Sequence, residues 1–382
     1  MLPETGHVNA SLKIGRTLKA RGHRVFHFGL EDFEDYITSQ GLEFMPAMAD
    51  YFPKGFLTRH SFNISTFEVL LSMLSKELKD RSLTAFDVLK KEADSLIEKL
   101  RPDLVVSDVL LADLAFLIYS SGVPITLLST ILFYPWVTER AVTNAFKHIT
   151  TMFLCPQEFD FPYKKKRVVD HYVEASIDLE RKEVEFSFDQ LDVDKRLIYC
   201  SLGSQTHLYA RGKGLLQTVI DAMWEKKDCQ MILSTGSTID PTDFPSVPPN
   251  VFPVKTAPQL QVLKRASLMI THGGLNSIKE CIFFGVPMIV FSLLRDQPLN
   301  AARVAYHGLG LRGNPDTFNA TELLGMMDKI DGDPAFKARV EKMGKRFREI
   351  EESQISIEII EKALNSFPRG FERKLEVLAL NS

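Results

Sequence analysis

The stretch from Thr256 to Asn300, TAPQLQVLKRASLMITHGGLNSIKECIFFGVPMIVFSLLRDQPLN, decides the fold. It holds two short apolar runs, Leu268 to Thr271 and Pro287 to Phe291, each reading as a strand covered on both faces. Helical spacing fills Ser277 to Phe284 between them, and Gln259 to Arg265 and Leu299 to Tyr306 on either side. Strand and helix in this alternation predict a parallel sheet, because parallel neighbours need a crossover between them. The first strand runs into His272-Gly273-Gly274, and the helix starts near Asn276-Ser277. Glycine lets a backbone approach a ligand closely, and a helix N-terminus offers N–H groups and a positive dipole, so this junction suits a diphosphate. Glu280, one turn into that helix, is placed to accept hydrogen bonds from ribose hydroxyls. Asp296-Gln297 falls in the loop after the next strand, where open α/β sheets hold their ligands, and acid plus amide suits the hydroxyls of a sugar.

The same rhythm extends outward. Strands are expected at Arg24 to Phe28, Leu104 to Val106, Ile125 to Leu128, Leu197 to Ser201 and Gln230 to Ser234, with helices at Asn9 to Ala20 and Leu215 to Glu225. The class is therefore α/β, with doubly wound parallel sheets. A length of 382 residues, at roughly 150 per domain, fits two domains. Tyr163 to Arg196 interrupts the pattern with Lys164-Lys165-Lys166-Arg167 and mixed charge, so the expected division is residues 1–180 and 190–382. A charged helical tail, Ala335 to Phe367, closes the periodic part of the chain.

Composition narrows the function. With 46 basic against 49 acidic residues, the chain has no electrostatic footprint for nucleic acid. Its four cysteines lie far apart without a CxxC pair, which argues against a zinc cage or a disulfide framework and for a reducing, cytoplasmic setting. Leu114 to Val137 is free of charge, but Ser120-Ser121-Gly122-Val123-Pro124 breaks it into a buried helix, a turn and a strand, so no transmembrane segment is expected. Asp192-Val193-Asp194 and Asp331-Gly332-Asp333 have the look of metal-holding acidic pairs. The first precedes its strand and the second sits in an expected helix-to-helix loop, so no metal site is expected from either. Gly308-Leu309-Gly310-Leu311-Arg312-Gly313 spells GxGxxG but follows a helix, where a dinucleotide fingerprint follows a strand, so it reads as a helix stop. No GxSxG is present to supply a hydrolase nucleophile beside His272-Gly273-Gly274.

Pro258-Gln259, Val262-Leu263, THGGxNSxxE from Thr271 to Glu280, GVPM from Gly285 to Met288 and DQPxNAxRV from Asp296 to Val304 occur in order over about fifty residues. In this the chain resembles the family 1 glycosyltransferases, the UDP-glycosyltransferases, and within them the bacterial macrolide and zeaxanthin glucosyltransferases. The resemblance extends to Gly6-His7-Val8-Asn9, Arg21-Gly22-His23, Arg101 to Thr130 and Ser201-Leu202-Gly203-Ser204. It implies the GT-B architecture, two Rossmann-like domains facing across a cleft, with the tail helix returning towards the first. It also implies a nucleotide-sugar donor with no further cofactor: His272, Gly274, Asn276, Ser277 and Ser204 on the diphosphate, Glu280 and Gln259 on the ribose side, Asp296 and Gln297 on the transferred sugar. Taken singly, each of these also fits a helix cap or a surface polar residue.

Transfer to a hydroxyl needs a base. His7 follows Gly6 at the entrance to a helix, and an imidazole of ordinary pKa near 6.5 suits proton abstraction at neutral pH. Asp108, just past the strand ending at Val106, would hold the imidazole tautomer. The resemblance assigns the same roles to both. Phe52, Phe56, Phe62, Phe67, Phe133, Tyr134 and Trp136 crowd the first half and suit an apolar small-molecule acceptor, although ordinary core fits them as well. Two departures stand out. Thr256 occupies the place where the family carries a tryptophan that stacks on uracil, and only Met1 to Thr5 precede Gly6 where the family has an apolar strand. A nucleotide-sugar epimerase, a lipid-acceptor transferase using Lys164 to Arg167, and a non-catalytic binding protein are the alternatives, which donor consumption against an acceptor panel separates.

Overall fold

The computed structural model describes residues 5–59, 67–78, 84–132, 148–162, 168–203, 211–236 and 238–366. The chain divides into two compact units. Unit 1 takes residues up to 154, then 164–176 and those from 354 on; unit 2 takes 155–163 and 177–353.

Unit 1 carries helices α1 (Thr5–Ala20), α2 (Glu34–Ser39), α3 (Phe56–Arg59), α4 (Phe67–Leu78), α5 (Ala85–Leu100) and α6 (Ala112–Ser120). Its strands are β1 (Phe26–Gly29), β2 (Glu43–Pro46), β3 (Val105–Asp108), β4 (Ile125–Ser129), β5 (Thr151–Phe153) and β6 (Asp170–Tyr172). Thr84 starts α5 through a capping box with Asp87, and Arg101 ends it in the left-handed conformation ahead of Pro102. The strands form two separate parallel sheets, β1-β2 and β3-β4-β5-β6. Between β1 and β3 lies a cavity of about 460 Å³, lined by all of β1, by Leu104 to Ser107, and by Leu18, Leu111, Leu114 and Ile360. β4 is buried along its whole length, as a strand covered on both faces must be. The charge-free stretch resolves, over its described part, into the end of α6 and then β4.

Unit 2 carries strands β7 (Arg196–Ser201), β8 (Cys229–Ser234), β9 (Val251–Val254), β10 (Ala266–Thr271), β11 (Met288–Phe291) and β12 (Gly310–Gly313). Its helices are α7 (Gly212–Met223), α8 (Gln259–Leu263), α9 (Leu275–Phe284), α10 (Gln297–Tyr306), α11 (Ala320–Gly332) and α12 (Pro334–Ser353). All six strands are parallel, in the order β12-β11-β10-β7-β8-β9. Winding starts at β7, runs to β9 on one side, and then resumes at β10 on the other. This is the Rossmann-like order, and its reversal point lies between β7 and β10.

Three local readings are corrected. The charged tail is not one helix: α12 ends at Ser353, Gln354 sits at a φ of 52°, and α13 (Ile355–Ser366) follows. α13 belongs to unit 1, where Ile357 and Ile360 share an apolar cluster with Ala10, Ile14 and Leu18 of α1. The glycine-rich run 308–313 is more than a helix stop. Its last four residues are β12, and a Cβ at Gly310 would fall 1.9 Å from the Met288 carbonyl oxygen, so glycine is needed for β12 to pack beside β11. Asp331 lies inside α11 rather than in a loop, and pairs with Arg196 at 2.5 Å.

Candidate functional site

In unit 1, α1 begins at Thr5, which puts His7 in its first turn. β3 runs two residues further than its apolar core, so Asp108 is its last residue rather than a loop residue beyond it. There Asp108 accepts a hydrogen bond from the Leu110 N–H at 2.9 Å, capping a short 3₁₀ turn. His7 Nδ1 lies 2.6 Å from Asp108 Oδ2 and 2.7 Å from Thr130 Oγ1. Asp108 is fully buried and His7 nearly so. Burial alone would raise the Asp108 pKa, but the His7 imidazole beside it, its hydrogen bond and the Leu110 N–H hold the carboxyl below its ordinary value. An ionised Asp108 fixes the proton on Nδ1, which leaves proton acceptance to Nε2. Thr130 was not among the residues singled out from sequence. The signal was topological: β3 and β4 are parallel neighbours, with Asp108 opposite Leu128, so the chain leaving β4 passes the carboxyl end of β3.

In unit 2 the carboxyl ends of β7 and β10 meet at the reversal point. His272 follows β10, its ring flanked by Gly203 and Gly274. A Cβ on Gly203 would come within 2.7 Å of the imidazole, and one on Gly274 within 2.6 Å of Nε2. Gly203 and Gly273 both hold positive φ, at 82° and 90°. The glycines thus serve the histidine's seat as well as backbone access. Gly274 is the N-cap of α9 and offers no side chain to its N–H groups, and the first turn contains no acidic residue, both suited to an anion. Burial and the charge of Arg295 bring His272 down to about 4, against a backbone hydrogen bond at Ser201, so the ring is neutral at pH 7.

Burial likewise takes His27, in β1, down to about 3. Both native values lie below the unfolded value near 6.5, so the unfolded chain binds more protons throughout the interval between them. Their contribution is whole above pH 6.5 and is lost as the pH falls towards 4 for His272 and 3 for His27. Urea unfolding is expected to show stability falling by ~1.4 kcal/mol per pH unit for each histidine in that window. A flat profile between pH 6.5 and 4.5 would contradict the neutral burial of both.

Gln259, at the start of α8, donates to Glu280 Oε2 at 2.6 Å and to Ser277 Oγ at 3.4 Å, so three of the sequence-selected residues form one cluster on α8 and α9. Asp296, the N-cap of α10, accepts from Asn300 Nδ2 at 2.7 Å, and Asn300 also reaches the Gly273 carbonyl at 3.1 Å. Gln297 is buried, with Oε1 accepting from the Leu293 and Leu294 N–H groups at 2.9 Å each. Its carbonyl therefore shapes the loop that precedes it. Asn276 lies in the first turn of α9, half-buried, and Thr256 is exposed just ahead of α8. Asn300, Arg181 and Glu183 are additions that periodicity could not supply. Arg181 and Glu183 reach this cluster from an irregular segment 77 to 99 residues away in sequence.

Ser204 lies outside the described residues, as do Lys164 to Arg167, Phe62, Phe133, Tyr134 and Trp136. Phe52 and Phe56 are core side chains, with ring centroids 4.9 Å apart, so the ordinary-core reading holds for these two. Phe67 opens α4. The four cysteines are free and buried. Among the described residues, no helix is long and apolar enough to cross a membrane.

A family model, the C-terminal domain of proteins like erythromycin biosynthesis protein CIII, matches residues 217–355. The NDP-glycosyltransferase YjiC of Bacillus licheniformis is 26% identical over 387 residues, covering 91% of this chain and 92% of the relative. The zeaxanthin glucosyltransferase of Pantoea ananas is 25% identical, with 95% and 94% covered. Among solved structures, the glycotransferase of kitacinnamycin superposes with a TM-score of 0.71 at 22% identity, over 94% of this chain and 96% of that one. The spinosyn rhamnosyltransferase SpnG, complexed with thymidine diphosphate, gives 0.72 at 17%, over 94% and 98%. These two likenesses establish the fold.

Proposed function

This chain belongs to the family 1 glycosyltransferases and has the GT-B fold of two Rossmann-like units, and on that footing we propose that it moves a hexose, glucose from UDP-glucose, to a hydroxyl of an apolar small molecule. It is a glycosyltransferase that takes its sugar from a nucleotide sugar. The observation that carries it is the Gln259–Ser277–Glu280 cluster beside the open N-terminus of α9, at the reversal point of a Rossmann-like sheet. A diphosphate on the helix end and a ribose on the carboxylate need that combination.

His7 is the proposed catalytic base and Asp108 its positioning residue. As the acceptor oxygen attacks the anomeric carbon, His7 Nε2 takes the hydroxyl proton. The bond from that carbon to the phosphate oxygen breaks, and its electron pair leaves with the nucleotide diphosphate. One displacement inverts the anomeric centre. Asp108 stabilises the imidazolium, and the N–H groups of α9 with His272 stabilise the departing diphosphate. No metal or further cofactor is assigned a role. Glucose and the apolar acceptor are supported by the name of the Pantoea ananas relative. Thr256 supplies no stacking face, so base recognition falls on other groups. A cytoplasmic setting is supported by the four free cysteines.

Glu280→Ala is expected to weaken UDP binding by roughly 1.5–3 kcal/mol, the scale of a hydrogen bond to a charged group. Calorimetry that finds UDP affinity unchanged would remove Glu280 from the donor site.

A further inference from the structure

Glu280 is already engaged on both carboxylate oxygens. Arg181 Nη1 lies 2.5 Å from Oε1 and Nη2 lies 3.3 Å from Oε2, a forked pair, while Gln259 Nε2 takes Oε2 at 2.6 Å. The carboxylate side chain is only 6% exposed and that of Arg181 only 12%. Arg181 is held in turn by Glu183, with Nε at 3.3 Å and Nη2 at 3.0 Å from its Oε1. Glu183 accepts from the Leu260 N–H of α8 at 3.0 Å and from the Gln261 N–H at 3.4 Å. The segment that enters unit 2 at Ile177 and leads to β7 is therefore clamped onto the two helices that carry Gln259 and Glu280.

A ribose cis-diol binds a carboxylate with two O–H donors side by side. A guanidinium binds it with two N–H donors in the same forked arrangement. Two such forks cannot share one nearly closed carboxylate face.

We infer that Arg181 is a gate on the ribose side of the donor site: a nucleotide engages Glu280 by displacing the Arg181 fork, and Glu183 keeps the displaced arginine tethered at α8. The inference rests on the assignment of Glu280 to ribose and deepens it. Arg181 thus sets the threshold for donor entry, because only a ligand carrying both hydroxyls replaces both bonds that are broken. It also ties the position of the segment 177–195 to whether the ribose subsite is filled.

The test is calorimetry on the full chain with two probes, UDP and 2′,3′-dideoxy-UDP, for the unchanged protein, Arg181→Met, Arg181→Lys and Glu280→Ala. Arg181→Met is expected to raise UDP affinity about tenfold or more, since the ion pair no longer has to be broken, and to leave dideoxy-UDP affinity unchanged. Arg181→Lys, which keeps the charge but loses the fork, is expected to fall between, and it serves as the reading if Arg181→Met does not fold. Unchanged or weaker UDP binding in both arginine variants, with UDP binding weakened in Glu280→Ala, would overturn the gate while leaving Glu280 on the ribose. UDP binding undiminished in Glu280→Ala would overturn both.

Discussion

Replacing His7 with alanine is expected to lower turnover by about 10² to 10⁴, the usual contribution of a positioned general base, with donor affinity nearly unchanged. The loss belongs in kcat, because the proposed role of His7 is to take the acceptor proton, while the proposed nucleotide contacts lie on α8, α9 and the loop after β10. Asp108→Asn removes the fixed charge that sits 2.6 Å from Nδ1 and is expected to cost as much or less. The double variant should be clearly less than additive, since Asp108 acts only through His7. Its structural role as the cap of the turn after β3 provides a control: Asp108→Asn keeps the Leu110 contact, so a loss of turnover without a shift in the melting transition isolates its effect on the imidazole. Turnover that survives His7→Ala would take proton abstraction away from this residue.

Filling the slot between β1 and β3 is expected to stabilise unit 1 and to raise turnover together. The two edges line a cavity of about 460 Å³ whose walls are mostly aliphatic and aromatic, and a segment ahead of α1 in a right-handed crossover to β1 would run parallel to both. Fusing six to eight apolar, β-forming residues ahead of Leu2 would bury large side chains in the slot and pair backbone groups of β1 and β3. A net gain of ~2 kcal/mol or more should appear as a melting transition raised by several degrees. Because such a strand would also anchor the turn into α1, where His7 sits, kcat should rise with it. An extended chain with the same melting transition and the same turnover would show that the slot is not a strand position and that His7 keeps its place beside Asp108 and Thr130 without one.

How much of this was legible in the sequence follows from what periodicity can carry. The central strands of unit 2 have long apolar runs buried on both faces, and β7, β8, β10 and β11 fall within two residues of their expected ends. The strands β2, β5, β6, β9 and β12 were not foreseen. Each is only three or four residues long, and several carry residues such as Glu43, Pro46, Asp170, Pro253 and Gly310 that weaken a strand signal, so neighbouring strands rather than local propensity make them. The junction after β10 was legible because it depends on local chain geometry, a strand, glycines and a helix start within ten residues. Gln259, Ser277 and Glu280 do meet, and His7 meets Asp108. Arg181 and Glu183 escaped notice because an irregular, mixed-charge segment reads as a solvated linker, and nothing in its spacing shows that two of its charges are buried against α8 and α9.

The most direct measurement is release of nucleotide diphosphate from UDP-glucose with and without a panel of apolar hydroxyl acceptors, with the anomeric configuration of the product read by NMR. Acceptor-dependent release that yields a glucoside of inverted configuration is the expected result. Retention of configuration, donor turnover independent of acceptor, or donor binding without turnover across the panel would contradict it.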